Sequence, residues 1–480
     1  MTLPPSPVLS PATAITTTIP AGDGLPITTA ASTTVHRRLS LIPLIFIIYF
    51  DVAGGPFGAE PAVKAVGPLF AILEFLIFPF IWSIPEALVT AELSTALPGN
   101  GGYIIWTYKA FGPFMASLLG VLKYLTCVIN LSSYPVLGVQ YLETLFPILN
   151  SGLPRIAAMM GISTVLSFIT FLGVNIVGIL SIILGILTLC PFGIMAGFAV
   201  PHIKPERWLS MGQKGVKRNW NGSFNNVFWN LNFWDTISTM AGEVENPRTT
   251  FPKALLYAVV LTCLAYIIPL MAVTGALDLD QNAWESGYFA VAAATIVGKW
   301  LRVWIIIGAM LSTIGLFFAL LCSCSYQILG MSDFGFLPKF FGAKSKFDTP
   351  WIGILLSTLI VMVCSVFLDF TVIIAAANLL YSLSMLIEYA SYFWLRVKYP
   401  TLRRPYRVPI DNKILLAVAL MIPSSFLVLI MVFATKIPRI ICALITIGAV
   451  LWYFLMNFIK KKGWLAFKNA DQIEVGEEQD

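Results

Sequence analysis

The sequence is poor in charge and in histidine. Of its 480 residues only 11% are charged and 58% are hydrophobic, and the mean hydropathy is +0.84. This composition excludes an ordinary soluble domain and indicates a polytopic membrane protein. The two histidines, His36 and His202, lie outside the apolar segments. A proton relay through the membrane would therefore have to use carboxylates or a lysine.

Other absences narrow the function further. The seven cysteines lie in apolar runs without a Cys-x-x-Cys or Cys/His cluster, so we expect core thiols rather than disulfides or metal ligands. There is no Walker motif or other nucleotide-binding pattern, so neither an enzyme nor a primary pump is expected, and no cofactor or metal. The net charge of +6 suits contact with an anionic lipid bilayer and requires no nucleic acid.

After a Pro-, Thr-, Ser- and Ala-rich stretch, the chain is a series of apolar segments. We predict a disordered cytosolic tail over residues 1–38, followed by about twelve transmembrane helices. The predicted spans are 41–66, 69–96, 112–142, 154–172, 174–200, 226–245, 252–276, 287–330, 351–369, 371–395, 414–434 and 437–460. The segment 287–330 is too long for one upright helix, and its first part is expected to form a short re-entrant or surface piece.

These segments group into larger units. We assign 39–245 to the first repeat and the start of the second (spans 1–6), 246–395 to spans 7–10, 396–460 to spans 11–12 and 461–480 to a C-terminal tail. Loops on the side of the N-terminal tail carry the larger share of lysine and arginine, apart from the basic loop 201–225, which predicts cytosolic termini. No retention or lipidation signal is present, so the plasma membrane is the default location and an internal membrane the alternative.

The first span is interrupted by a Gly-Gly-Pro sequence. Apolar residues run from Leu41 to Phe50, and Asp51, Gly54, Gly55 and Pro56 follow. Glycine and proline both disfavour continuation of a helix. Unpaired backbone at this depth is tolerated only where it is buried in protein or lines a cavity. A broken helix with an acid beside the break therefore predicts a substrate site.

The span at 226–245 is disrupted in a similar way. It places Trp229 and Trp234 among polar residues that include Asp235. This span is too polar for a lipid-facing helix, so we expect it to unwind or face a cavity. Asp51 and Asp235 could be simple caps of helix ends, but two acids at two breaks favour a binding role. If spans 1–5 and 6–10 are two copies, the breaks fall at corresponding positions of an inverted repeat.

Several motifs together resemble a known family. They are Gly54-Gly55-Pro56-Phe57-Gly58 in the first span, Pro85-Glu86-Ala87 and Ala91-Glu92-Leu93 through Pro98-Gly99-Asn100-Gly101-Gly102-Tyr103 in the second, and Ala241-Gly242-Glu243-Val244-Glu245-Asn246-Pro247-Arg248 after the sixth. The pattern is similar to the amino acid, polyamine and organocation transporter superfamily, and within it to the plant polyamine uptake transporters of the L-type amino acid transporter group. The resemblance covers roughly residues 40 to 460.

The resemblance implies an all-α fold, a five-plus-five inverted repeat with broken first and sixth helices and two added helices. In amino-acid carriers of this family the first break offers backbone amides to a substrate carboxylate. Here Pro56 removes one donor and Asp51 adds a negative charge, which favours an amine over a carboxylate. By analogy with the aromatic gate of similar carriers, Trp229 is the expected gate and Trp234 the fallback. The predicted substrate-binding residues are Asp51, Gly54, Gly55, Trp229, Trp234, Asp235, Thr239 and Tyr381.

Other buried charges have predicted roles. Glu388 is the first candidate for proton coupling, because it is offset along the tenth span from the breaks, and Glu86 is a further candidate; Glu388 could instead pair with a lysine or hydroxyl to hold the bundle. Lys123 is expected to pair with Glu86 or Glu92. Glu92 and Glu243 are expected to anchor the inner face.

The leading hypothesis is a secondary transporter that imports polyamines (putrescine, spermidine, spermine and similar organic cations such as paraquat), coupled to protons, by alternating access. The alternative within the superfamily is an amino-acid transporter. A channel or transceptor is disfavoured, because a channel needs a continuous polar stripe and polarity here concentrates at two breaks.

Overall fold

The computed structural model describes residues 39–143, 146–278 and 280–468, which form α-helices joined by loops and short 3-10 or π turns, with two isolated β-bridges. The helices in chain order are α1 (Leu41–Val52), α2 (Glu60–Val66), α3 (Pro68–Phe78), α4 (Ile84–Ala96), α5 (Tyr103–Phe111), α6 (Pro113–Leu131), α7 (Ser133–Glu143), α8 (Gly152–Phe171), α9 (Val174–Ala199), α10 (Trp220–Asn230), α11 (Pro247–Ala276), α12 (Tyr288–Ile296), α13 (Lys299–Asp333), α14 (Trp351–Phe367), α15 (Phe370–Lys398), α16 (Lys413–Phe433) and α17 (Lys436–Lys462). The predicted tail at 1–38 and most of the predicted tail at 461–480 lie outside the described residues.

The helices confirm the predicted all-α polytopic fold. Within the described ranges, nine helical segments are long and apolar enough to cross a bilayer, and α1 and α14 are shorter apolar helices. The predicted span 287–330 is divided as expected into the short α12 and the long α13. Helix α5 has no counterpart among the predicted spans, since nine residues are too few to cross a membrane.

Helix α13 lies at the centre of the bundle. Its 35 residues extend over roughly 52 Å and pack against α1, α6, α7, α9 and α14. Glycines permit close approach on two sides of this helix. A Cβ added at Gly315 would lie 2.4 Å from the ring of Phe50, and one added at Gly330 would lie 2.5 Å from the Cα of Gly101. These contacts hold α1 and the loop before α5 against the central helix.

Helices α16 and α17 lie at the edge of the bundle and expose apolar side chains. Phe433 is 62% exposed and Leu444 is 64% exposed. An apolar surface of this kind on a soluble protein would be a liability, but in a bilayer it is covered by lipid. The outer helices therefore form the lipid-facing surface of the protein.

The end of the bundle at which α1 begins is called the proximal end, and the opposite end the distal end. At the proximal end the Leu39 N–H donates to the Glu243 carbonyl (2.8 Å), and the Glu245 N–H donates to the Leu39 carbonyl (2.9 Å). The Glu243 carboxylate accepts from Asn100 Nδ2 (3.0 Å) and lies 3.4 Å from Lys344 Nζ. These contacts close the chain around the start of α1.

A second proximal contact involves Glu92. Its Oε1 lies 2.8 Å from Arg396 Nε and 3.0 Å from Arg404 Nε, and its Oε2 accepts from the Val408 N–H (2.8 Å). Glu92 thus ties α4 to the end of α15 and the loop that follows it. Both Glu92 and Glu243 make the anchoring contacts predicted from the sequence.

At the distal end the loops fold over α2. The Asn219 N–H donates to the Ala65 carbonyl (2.9 Å), and Gln281 Nε2 donates to the Lys64 carbonyl (3.0 Å). Lys64 Nζ lies 2.5 Å from Glu285 Oε1, and the hydrogen bond from Lys64 lowers the pKa of the Glu285 carboxyl from its ordinary value. Because both side chains are well exposed, this pair contributes little to stability.

Candidate functional site

The first break lies between α1 and α2 and packs closely on α13. Helix α1 ends at Val52, and the Gly54 carbonyl accepts a hydrogen bond from Ser312 Oγ (2.5 Å). A Cβ added at Gly54 would lie 2.1 Å from Ser312 Oγ, so only glycine fits without a shift. Gly55 has a φ of +119°, which L side chains rarely adopt. The predicted interruption is therefore present. Both positions require glycine, Gly54 because there is no room for a Cβ and Gly55 because of its positive φ.

The second break follows α10, which ends at Asn230. Short 3-10 turns cover Thr236–Thr239 and Ala241–Glu243 in place of a continuous helix. Phe233 has a φ of +73°, a strained value for a bulky residue, and its N–H donates to the hydroxyl of Tyr381 (3.0 Å). The surrounding packing maintains this strained backbone conformation. The conformation places the Phe233 ring against Tyr381, with 4.5 Å between the ring centroids.

The two breaks are tied to each other by asparagine side chains. Asn226 Nδ2 donates to the Gly58 carbonyl at 2.7 Å and Asn230 Nδ2 donates to the same oxygen at 3.3 Å. The Tyr266 hydroxyl donates to Asn230 Oδ1 (2.9 Å) and orients this amide. The Gly58 carbonyl of the first break is thereby satisfied by side chains of α10, as buried polar backbone requires.

A cavity of about 400 Å³ lies between the two breaks and extends to Ser286 in a distal loop. It is lined by Val52, Ala53, Gly54, Phe57, Gly58, Pro61, Asn130, Tyr134, Leu137, Tyr141, Gly222, Asn225, Asn226, Trp229, Asn230, Phe233, Tyr266, Ser286, Ala309, Ser312, Thr313, Leu316, Phe370, Thr371, Ile374 and Ala375. None of these lining residues is charged. The surface is aromatic and amide-rich, which suits an alkyl chain with polar groups along it.

Trp229 stands in the wall of this cavity. Its indole N–H donates to Asn130 Oδ1 (2.9 Å), and its ring meets the edge of Phe370 with 5.8 Å between centroids. Both contacts join α10 to other helices across the cavity. A shift of α10 relative to α6 or α15 would therefore move the indole, as a gate requires.

A buried ionic cluster lies on the other side of Phe233, within the bundle. Lys123 Nζ is 2.5 Å from Asp235 Oδ2 and 3.3 Å from Glu388 Oε2. The Asp235 N–H donates to Glu86 Oε1 (3.2 Å). All four side chains are almost fully buried, with 1% exposure for Lys123 and none for the three acids. Three acids thus face one lysine in this cluster.

The hydroxyl of Tyr381 lies at the centre of the cluster. It forms a hydrogen bond with Asp235 Oδ1 (2.7 Å) and a short one with Glu86 Oε1, and it accepts from the Phe233 N–H. A tyrosine hydroxyl has one proton to donate. Both carboxyl contacts can be hydrogen bonds together only if one of the two acids is protonated and donates to the tyrosine. Because Asp235 contacts the Lys123 ammonium, Glu86 is the acid that fits the protonated form.

Asp51 lies near this cluster but outside it. It is 1% exposed, and it accepts from Ser323 Oγ at 3.2 Å (Oδ2) and 3.4 Å (Oδ1). Ser323 also contacts the second break, because its carbonyl accepts from Thr239 Oγ1 (3.0 Å). In the part of the chain that the structure describes, no basic side chain pairs with Asp51, and the Ser323 hydroxyl is the polar partner of its carboxyl group.

The structure brings together some of the predicted site residues and separates others. Gly54 and Trp229 line the cavity, and Tyr381, Asp235, Glu86 and Glu388 form the cluster. Gly55, Trp234 and Thr239 do neither. Trp234 is fully buried and donates to the Leu231 carbonyl (3.0 Å), and Thr239 donates to the Ser323 carbonyl (3.0 Å).

Two expectations about charge need correction. Lys123 forms its ion pairs with Asp235 and Glu388, not with Glu86 or Glu92. Glu388 was expected to stand apart from the breaks, but Lys123 joins it directly to Asp235. A linear sequence places these residues on three different spans, and only the packing of α6, α15 and the second break shows which acid faces the lysine.

Sequence reasoning missed several residues of the site. Phe233, Asn130 and Ser323 have no charge or motif that marks them, and the motif that contains Tyr103 does not show that its ring lies beside Lys123. Asn130 carried a usable signal, since a polar amide in the middle of an apolar span requires a partner. No comparable signal marks Phe233, whose role depends on its backbone conformation. Among the described residues, no group of His, Cys, Asp and Glu side chains is arranged to hold a metal ion.

Comparisons with known proteins agree with this architecture. A family profile described as amino acid permease matches residues 39–459. The chain is 43% identical to the polyamine transporter RMV1 of Arabidopsis thaliana over 453 residues, which is 94% of this chain and 92% of the relative. It is 44% identical to the polyamine transporter PUT1 of Oryza sativa subsp. japonica over 464 residues, covering 95% and 85% of the two chains.

A more distant relative is bacterial. The cadaverine/lysine antiporter of Escherichia coli (strain K12) is 25% identical over 335 residues, 67% of this chain and 72% of the relative. The matched profile spans both breaks, the cavity and the ionic cluster. The chain therefore belongs to the amino acid permease family of membrane transporters.

Proposed function

We propose that this protein is a secondary transporter that imports polyamines by alternating access about the two breaks. The observation that carries the proposal is the cluster of three buried acids beside an uncharged aromatic cavity. Carboxylates neutralise ammonium groups and aromatic faces attract them, whereas a substrate carboxylate would be repelled. The names of the relatives in Arabidopsis thaliana and Oryza sativa subsp. japonica support the same substrate class.

In this proposal the alkyl chain of the substrate lies in the cavity and an ammonium group approaches the acids behind Phe233. Asp51 and Asp235 supply negative charge, and Tyr381 orients Asp235. Gly54 allows α13 to approach the chain closely enough to shape the cavity. The predicted binding roles of Gly55, Trp234 and Thr239 become supporting roles, because their side chains or backbone hold the breaks in place.

Access alternates between the two ends of the bundle. The cavity reaches the distal loops, whereas the contacts of Glu243 and Glu92 close the proximal end. Positive charge in the loops favours cytosolic termini, which makes the proximal end cytosolic and the distal end external. The state described here is then one that receives substrate from outside, in the plasma membrane as the default location. Epitope tags on the two termini, probed in intact and permeabilised cells, test this orientation.

Import is coupled to protons through the acid cluster. The single proton of the Tyr381 hydroxyl leaves room for one more proton between Glu86 and Asp235, so Glu86 joins Glu388 as a coupling acid. Uptake should rise as external pH falls, because a more acidic exterior protonates the carboxyl group that faces it. Glu86→Gln and Glu388→Gln, compared separately, identify the coupling acid: its variant loses the pH dependence of uptake and keeps substrate exchange. A normal pH profile in both variants would remove the cluster from proton coupling.

An amino-acid carrier is the second candidate, and one observation favours it. No hydrogen bond among the described residues uses the N–H of Gly54 or of Gly55, and two free amides at a break can bind a carboxylate. Radiolabelled putrescine and spermidine uptake in cells that lack polyamine transport separates the candidates. We expect saturable uptake that excess spermine competes with and excess amino acids do not. Inhibition by amino acids alone would contradict the proposal.

A further inference from the structure

The buried ammonium of Lys123 is surrounded by the groups that recognise an alkylammonium ligand. Besides the oxygens of Asp235 and Glu388, the sulfur of Met385 lies 2.9 Å from Nζ. The ring centroids of Tyr381 and Tyr103 lie 4.3 and 5.1 Å from it. Two carboxylates and two aromatic faces around one ammonium form a complete site for a primary amine. Its occupant is a side chain of the protein itself.

The site retains unused acceptors. Both carboxylate oxygens of Glu388 and Oε2 of Glu86 are buried without a hydrogen-bond partner in the described residues. Glu388 lies 3.3 Å from Lys123 Nζ, but this ion-pair contact does not have the geometry of a good hydrogen bond. Leaving a buried charged acceptor without a hydrogen bond is costly, on the order of 1–3 kcal/mol or more. A second ammonium group would supply the missing donors.

The rings of Phe233 and Tyr381 separate the cavity from the site around the Lys123 ammonium. Phe233 lines the cavity, and its ring packs on Tyr381, which covers the Lys123 ammonium. The strained backbone of Phe233 is not fixed within a regular helix. A linear amine in the cavity is thus separated from the acids at this point by the contact between the rings of Phe233 and Tyr381.

We propose that Lys123 is a tethered ammonium that occupies the position of a substrate ammonium group in the empty carrier, and that substrate binding displaces it from Asp235. This inference rests on the proposed polyamine transport. Lys123 then acts as an internal competitor. It weakens substrate binding, it restores the charge balance of the acids when substrate leaves, and it sets how many positive charges the site accepts.

Spermidine binding to the purified full-length protein tests this role, with Lys123→Met and Lys123→Arg compared. Methionine removes the charge and keeps the length of the chain. We expect Lys123→Met to bind spermidine about tenfold more tightly, which corresponds to about 1.4 kcal/mol, and to turn over more slowly. Its preference should move toward spermine, which carries more charge than putrescine. Lys123→Arg should keep the preference of the parent. Lys436→Met, which removes an exposed lysine at the start of α17, controls for the loss of a positive charge.

Loss of Lys123 leaves three buried acids, so a charge-balanced variant is compared as well. Lys123→Met/Glu388→Gln removes one charge of each sign, and it is compared with Glu388→Gln alone. Under the proposal the double variant binds spermidine more tightly than the single one, because Asp235 is free. Equal or weaker binding in both comparisons would make Lys123 a structural lysine and overturn the inference. Absence of polyamine binding in the parent would overturn the proposed function as well, so the two failures are distinguishable.

Discussion

At the scale of single residues, Tyr381 connects the parts of the site. Its hydroxyl contacts Glu86 and Asp235, its ring covers the Lys123 ammonium, and the same ring packs on Phe233. In the proposed mechanism, a side chain with these contacts transmits the position of the substrate to the acids. Neighbouring Tyr389 is also buried, but its hydroxyl has no hydrogen-bond partner among the described residues. The two tyrosines therefore form a matched pair for mutation.

Tyr381→Phe should raise the KM for polyamine uptake by about ten- to a hundredfold. The variant keeps the ring and loses a hydrogen bond to charged groups, which contributes about 1.5–3 kcal/mol. Tyr389→Phe should leave the KM within about twofold of the parent, because it removes a hydroxyl without a partner. Concentration series of uptake, corrected for the amount of protein in the membrane, provide the comparison. Equal effects of the two variants would refute the central position of Tyr381.

Trp229→Ala should impair uptake more than Trp229→Phe. Phenylalanine keeps an aromatic face in the cavity wall and loses only the hydrogen bond to Asn130, whereas alanine removes the wall. Trp300→Ala, at a tryptophan that is 54% exposed on the outside of α13, is the control for loss of an indole. Initial uptake rates measure the effect. If alanine at position 229 transports as well as the parent, Trp229 is a packing residue.

At the scale of helices, the breaks depend on glycines that make specific contacts. The Gly54 carbonyl is held by Ser312 of the central helix, and the space for a Cβ is already occupied. Gly448 in α17 is different, because a Cβ there would meet no atom within 4 Å. Replacing each glycine by alanine therefore distinguishes a steric requirement at Gly54 from a change in helix propensity, which is the effect expected at Gly448.

Gly54→Ala should abolish uptake while Gly448→Ala keeps it. The added methyl at position 54 would push α1 away from α13, since Ser312 Oγ lies 2.1 Å from the Cβ position. At position 448 alanine should stabilise the helix by up to about 1 kcal/mol. Uptake and thermal stability in detergent are measured together. Normal uptake by Gly54→Ala would show that the first break tolerates a wider separation from α13.

The elements could be predicted from the sequence more completely than the site. Apolar length located the spans, the Gly-Gly-Pro sequence located the first break, and the polar residues of 226–245 located the second, because these are local properties of the chain. The partner of Lys123 could not be predicted, since Asp235 and Glu388 are far away in the chain. The role of Phe233 depends on a backbone angle set by tertiary contacts. Family resemblance indicated the gate at Trp229 but not its hydrogen bond to Asn130.

At the scale of the whole molecule, the cavity, the buried acids and the closed proximal end follow one another from the distal to the proximal side of the bundle. The cavity reaches the distal loops, the acids lie behind it, and the contacts of Glu92 and Glu243 close the proximal end. Lipid-facing helices α16 and α17 flank this core and contribute no residue to the cavity or the cluster. This arrangement fits the proposed carrier, in which the two breaks would hold the substrate between a distal end that the cavity reaches and a closed proximal end.

The central claim is that the acids at the two breaks bind the ammonium groups of a polyamine. Counterflow of radiolabelled spermidine into proteoliposomes that contain the purified protein tests it most directly, with Asp235→Asn and Asp51→Asn beside the parent. The account predicts saturable spermidine counterflow by the parent and its loss in both variants, with each variant still folded by thermal stability. Spermidine counterflow with unchanged affinity in both variants, or counterflow of amino acids without spermidine in the parent, would contradict it.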